Sequence, residues 1–344
     1  MTEDKKDLLP EQKQGPSLAP QQRTRAMLEG AMMAAIVVLM GWLTSYIPFL
    51  VVFSPFLFPL PMAILVVRQG LRAGIIATIA SALLLMLITG PFRAVLITLQ
   101  FGALALFFGE CLRKGIKPAL NLAGCTVLTA LGTVLALIFS EGIAGLPVGA
   151  VIDKVRTIFE QVFQVLEQHG FLKTLVPENI TMEVYKANTY MVLPGTLLIA
   201  ALILVIVNYL ISQQIFRRLD LKIPILPPFD TWRLDWRLLW VFAGALSLNL
   251  LSGSLQIPWL YTLGQNLFLI CLPFLLVAGL SVILWVFRRW QISLFIKIGA
   301  LILAATLYSV SIYLIGLIGI IDAIANVREL LGPKLGIQPV NNKK

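Results

Sequence analysis

Charge is what this chain has least of. Acidic and basic residues make up 13% of its 344 residues, against about 25% in a typical soluble protein. Histidine occurs once, at His169, and cysteine three times, at Cys111, Cys125 and Cys271. The cysteines have no metal or redox spacing and two fall in apolar stretches, so they read as packing residues. No P-loop, dinucleotide-binding glycine pattern, zinc spacing or nucleophile-and-base arrangement is visible. The sequence therefore offers no catalytic set, no metal site and no cofactor, and the expectation is a protein that is not an enzyme. A secretory signal is not expected either, because no cationic start precedes a short apolar run and a small-residue cleavage site.

Hydrophobicity is what fills the space. Apolar residues account for 58% of the chain and the mean hydropathy is +0.89, more apolar surface than a soluble domain of this size hides. A soluble enzyme, a nucleic-acid module and a secreted disulfide scaffold are thereby excluded. Stretches near the ~20 apolar residues of a bilayer crossing recur, and they predict an all-α, polytopic transmembrane helical bundle of about 8–9 spans. The expected spans are 26–47, 48–67, 71–89, 93–110, 119–140, 191–216, 238–252, 260–287 and 294–321. The second holds Pro48, Pro55, Pro59 and Pro61, so it should be short, kinked or partly unwound. Residues 1–22, rich in Lys, Glu, Gln and Pro, read as a disordered cytoplasmic tail. The remainder divides into a five-span bundle (23–144), an extracytoplasmic amphipathic segment (145–190), a bundle of three to four spans (191–327) and a C-terminal tail (328–344).

The net charge of +10 would suggest nucleic acid in a soluble protein, but its placement points to the lipid bilayer instead. Fourteen Lys and Arg residues, from Arg23 and Arg25 to Arg288 and Arg289, fall in alternate loops, whereas the short loops between them hold only Arg93. The positive-inside rule then puts the N-terminus in the cytoplasm. A full ninth span would leave Arg328, Lys334, Lys343 and Lys344 outside, against that rule. Either the last segment does not cross fully, or an earlier one is re-entrant.

Between the fifth and sixth spans, Val148, Val151, Ile152, Val155, Ile158, Phe159, Val162, Phe163 and Leu166 recur at helical spacing opposite Asp153, Arg156, Glu160 and Glu167. This predicts an amphipathic helix too polar to cross, ending near His169, with Pro177 and Glu178 opening a second short helix. It reads either as a helix resting in the headgroups or as a lid over an outward-facing cavity.

Polar groups inside the spans are the functional pointers available. Gln100, Asn208, Asn249, Gln265 and Asn266 are candidate ligand-binding residues, with interhelical hydrogen bonding as the plainer alternative. Thr126, Thr129 and Thr133 share a helical face, a pattern that threonine also satisfies on its own helix. Asp322 follows a long apolar run, and it reads as an interfacial cap or as a proton- or ion-coupling carboxylate. Glu29 and Glu110 have Arg25 and Arg113 within one turn. Ala31 and Ala35 form a small-residue patch suited to packing or to docking a membrane partner, and Gly70, Gly74, Ala77 and Ser81 form another.

The proline-rich FPLPMAILVVRQG, the segment LPGTLLIAALILVIVNYL followed by FRRL, the later GQNLFL and the closing GLIGIIDAIANVREL together resemble the YybS-like family of bacterial multipass membrane proteins. That family is defined by a domain of unknown function. The resemblance covers about residues 25–330 and implies a bacterial cytoplasmic (inner) membrane protein. The first five spans also look like the substrate-binding subunits of energy-coupling-factor vitamin transporters, whose first helix docks a partner through small residues, here Ala31 and Ala35. The chain departs from those subunits in its extracytoplasmic insertion and its additional spans.

Two readings of function are open. The favoured one is a transporter-like protein that binds or moves a small solute through a cavity lined by Gln100, Asn208, Asn249 and Gln265; energy from ATP would require separate ATPase subunits. The alternative is a non-transporting scaffold that binds a membrane protein partner of an envelope or division-related complex.

Overall fold

Proline decides where the second segment breaks. Pro55, Pro59 and Pro61 lack the N–H that a helix interior needs, so the carbonyls of Val51, Pro55 and Leu57 lose their regular donors. The Ser54 hydroxyl donates to the first of these, Val51 O, at 2.7 Å. The helix interrupts at Phe58 and restarts at Pro59.

A computed structural model of the chain describes residues 20–143, 149–169, 181–255 and 257–334. Most of these residues are helical, with no strand among them. Seven helices are long and apolar enough to cross a membrane, and three shorter apolar ones accompany them. The contacts group the chain into two units, one ending at Lys114 and one beginning at Gly115. The fifth expected span thus packs with the later helices. The predicted tail lies almost wholly outside the described residues, as does the helix start expected at Pro177.

The first unit contains α1 (Pro20–Tyr46), α2 (Pro48–Leu57), α3 (Pro59–Gln69), α4 (Leu71–Thr89), α5 (Pro91–Ile97), a π-helical turn (Thr98–Gly102) and α6 (Ala103–Arg113). Gly30 faces Ala77 and Gly41 faces Leu85, so α1 and α4 run parallel through a small-residue contact. Val37, Phe58, Met62, Leu65, Phe101 and Ala105 fill the core between the segments. Gly70 turns the chain from α3 to α4 at φ +93° with the Arg113 guanidinium against it, so a side chain there would be strained and would displace the arginine. Arg93 donates to the carbonyl of Thr44 near the end of α1 at 3.1 Å, a cation at a helix C-terminus.

The second unit contains α7 (Pro118–Ile143), α8 (Gly149–Gln168), α9 (Met182–Met191), α10 (Leu193–Arg218), a 3₁₀ turn (Phe229–Thr231), α11 (Arg237–Leu255), α12 (Pro258–Arg289), α13 (Leu294–Thr306), α14 (Tyr308–Ala325) and α15 (Val327–Lys334). The ninth segment, expected as one span over 294–321, is two helices broken at Leu307 (φ −102°, ψ 43°). A Cβ on Gly279 would overlap the Ile315 carbonyl, and one on Gly319 the Leu275 carbonyl, so α12 and α14 cross with their backbones in contact. Within the next turn of both helices, Ser281 of α12 and Asp322 of α14 share the Arg328 guanidinium. The two helices therefore advance in the same direction, and the chain after Ala325 returns to the end marked by Arg288. That return removes the charge conflict a single ninth span would create.

Candidate functional site

Three amides of the second unit donate to backbone carbonyls. Asn208 is buried in α10 and donates to Leu204 O of its own helix at 3.2 Å. Asn249 donates to Ala245 O at 3.0 Å, and Gly264 of α12 packs against its carbonyl oxygen. Asn266 does more. Its Oδ1 accepts from Gly195 N at 2.7 Å, and its Nδ2 donates to Met191 O and Thr262 O, each at 2.8 Å. One side chain on α12 thereby caps the start of α10 and the end of α9, supplying the partners that helix ends lack. Gln265 is half-buried one position earlier. The three threonines of α7 each bond back to the carbonyl four residues before.

Gln100 belongs to the first unit and lies half-buried in the π-helical turn. Its neighbours there, Thr98, Phe101 and Gly102, line a partly open void of about 20 Å³ together with Phe58, Met62 and Thr78. Phe58, at the break between α2 and α3, stacks on Phe101 at 5.6 Å with the rings 4° from parallel. The void sits where one interrupted segment meets another. Thr78 is buried on the facing α4, and its Oγ1 has no partner among the described residues, while Ser81 donates to the Thr78 carbonyl at 2.9 Å. A space of this size holds about one water molecule. The sequence flagged the prolines of this region but gave no sign of the π-helical turn or of Thr78. A larger open groove of about 360 Å³ runs along α10 beside Leu210, Gln214 and Arg218. A third, of about 320 Å³, lies beside Met86, Val95 and Leu99. None of the three is lined by Gln100, Asn208, Asn249 or Gln265.

Asp322 has company that spacing did not reveal. Asn326 adopts a left-handed conformation (φ +50°) after α14 and turns α15 back. Arg328 is thereby buried, 6% exposed, with Nη2 3.5 Å from Asp322 Oδ2. Its guanidinium also donates to Asp230 O at 2.6 Å, Trp232 O at 2.9 Å and Ser281 Oγ at 2.9 Å. Arg288 pairs with Asp230 Oδ2 at 2.7 Å, and Arg233 pairs with Glu329 at 2.8 Å. Burial pulls the Arg328 pKa down, opposed chiefly by the charge of Asp322, and a guanidinium stays protonated regardless. Asp230 Oδ1, Asp322 Oδ1 and Arg328 Nε have no hydrogen-bond partner among the described residues. Three formal positive and three formal negative charges thus tie residues 229–233, α12 and the α14–α15 corner together. As a set they make a neutral clasp.

Two further carboxylates expected near span ends, Glu29 and Glu110, are paired. Glu29 contacts Arg25 and Arg68, each at 3.2 Å, and accepts from Gln69 at 2.8 Å. Glu110 contacts Arg113 and Lys114. On α1 the small residues divide by face: Gly30 and Ala34 are buried, whereas Ala31 and Ala35 are exposed.

The comparisons with known proteins agree with this architecture. The chain is 23% identical over 311 residues to a protein of Bacillus subtilis (strain 168) described as uncharacterized protein YybS, covering 89% of this chain and 98% of that one. No solved structure matches. The family model described as "Predicted membrane protein (DUF2232)" matches residues 34–323. The chain, a multipass helical membrane protein, belongs to that family.

Proposed function

We propose that this protein binds a small solute within its membrane bundle, in the manner of a transporter, and is not an enzyme. The observation that supports this is the meeting of two interrupted segments around Thr78. Irregular backbone at membrane depth is tolerated where protein or a water-filled cavity covers it, and transporters build their sites from broken helices. The small void corresponds to a closed form, and opening would separate Phe58 from Phe101. The basic loops and the relative's source support a bacterial cytoplasmic membrane with the N-terminus inside.

The test is thermal unfolding of the detergent-purified protein across a solute panel. A true ligand raises stability, by about 2.7 kcal/mol at a hundred times its Kd, and Thr78→Val should abolish that shift while the variant still unfolds cooperatively. A panel that shifts nothing, or a shift that survives Thr78→Val, overturns the reading.

Ala31 and Ala35 favour a second reading. They leave a flat exposed patch on α1 beside the buried Gly30 and Ala34, a surface on which a membrane partner could pack closely. Site-directed crosslinking from Ala31→Cys that captures one defined membrane protein would support it.

A further inference from the structure

Outside the apolar crossings, α8 and α9 form an antiparallel hairpin. Phe159 meets Tyr190 with ring centroids 6.2 Å apart, and Phe163 meets Tyr185 at 6.1 Å. Glu160 accepts from Lys186 at 2.6 Å and from Tyr190 at 2.9 Å. These contacts cover only one side of the apolar face of α8. Ile158, Val162 and Val165, spaced i, i+4 and i+7, remain 47%, 48% and 54% exposed.

On a crossing helix such residues would simply meet lipid; on a helix this polar they need another cover. The junction with α10 locates it. A single residue, Val192, separates α9 from α10, and Asn266 fastens both sides of that junction. Tyr190 is two residues before Val192 and lies against Phe159, so the stripe starts beside the point where α10 enters its apolar stretch. From there it runs about 10 Å along the helix. Gln161, Gln164 and Gln168, all exposed, border it with uncharged polar groups suited to the headgroup region.

We propose that the α8–α9 hairpin lies flat on the bilayer, with Ile158, Val162 and Val165 seated at the boundary between headgroups and acyl chains. The partner is the lipid surface itself, and the hairpin is a membrane-surface element rather than a lid.

The test uses the full chain in phosphatidylcholine–phosphatidylglycerol nanodiscs. Val162→Cys and Glu167→Cys are each labelled with an environment-sensitive fluorophore; the native cysteines Cys111, Cys125 and Cys271 are buried. The Val162 label should be blue-shifted and quenched by lipids carrying a shallow nitroxide about twofold more than the Glu167 label, since an interfacial helix sinks only ~5–10 Å. The Glu167 label should instead be quenched by aqueous iodide. Iodide quenching at Val162, shielding there from both quenchers, or a Val162→Cys disulfide between two copies would each overturn the proposal, the last two pointing to closure onto protein and to self-association. Because the Cys variant keeps a small apolar side chain, loss of folding does not enter the comparison.

Discussion

Arg328 ties together more of the second unit than any other described charged side chain. Its planar fork reaches two backbone carbonyls, a serine hydroxyl and a carboxylate. Arg328→Gln would leave Asp322 buried without its cation, and breaking a buried pair costs about 3–5 kcal/mol. Unfolding in detergent should show that loss. Arg328→Lys should recover only part of it, because an ammonium cannot present the same fork. The glycines of the second unit give another contrast. Gly279→Ala must push apart two helices whose backbones touch, whereas Gly299→Ala meets nothing within 4 Å. The first should destabilise clearly and the second should be neutral or stabilising by up to about 1 kcal/mol, by the same unfolding measurement. At this scale the sequence carried part of the answer. The pairings of Glu29 and Glu110 followed from one-turn spacing, and the buried cysteines from composition. Asp322 and Arg328 are six apart, beyond the reach of a straight helix, and only the left-handed turn at Asn326 joins them. The capping role of Asn266 depends on helices that are distant in sequence, so its residue type alone could not reveal it.

Among the elements, the hairpin of α8 and α9 is held by titratable groups outside the apolar crossings. The Lys186 ammonium, followed by the Tyr190 hydroxyl, holds the Glu160 carboxyl below the usual carboxylate range. Glu160 in turn raises Lys186, while burial first and then the bond to Glu160 raise Tyr190. A lowered carboxylate contributes above its unfolded pKa and loses that contribution as pH falls through the folded value. A raised ammonium contributes below its unfolded pKa and loses it as pH rises through the folded one. The hairpin should therefore hold from about pH 5 to about pH 10 and loosen beyond either limit. Limited proteolysis of the folded protein across pH, compared with Glu160→Gln, checks this: the variant should be more readily cut at neutral pH and insensitive to acid over the range where the parent loosens. The amphipathic period of α8 and the broken second segment were readable in the sequence, because aliphatic spacing and proline act locally. The break at Leu307 was not, since Ala305, Thr306, Leu307, Tyr308 and Ser309 include neither proline nor glycine. Beyond it, α14 packs with its backbone against α12, a contact between segments distant in sequence.

Taken whole, the chain has seven long and three shorter apolar helices among the described residues. If each crosses, the number is even, and a tag at Lys344 should share the cytoplasmic side with a tag at Met1. Reporter fusions or impermeant labelling of intact cells read this directly; a C-terminal tag exposed outside would contradict the parallel run of α12 and α14. The helical class was legible from composition alone, whereas the number of segments depended on one break that composition does not mark. That break leaves α13 with thirteen residues, about 20 Å of helix, beside a hydrocarbon core of about 30 Å. A helix so short meets the bilayer by drawing the two leaflets together around it, at a cost that grows with every ångström of mismatch. The protein should accordingly be most stable in thin membranes of short-chain lipid and should lose stability as the acyl chains lengthen, so that membrane thickness itself acts on the α13–α14 corner.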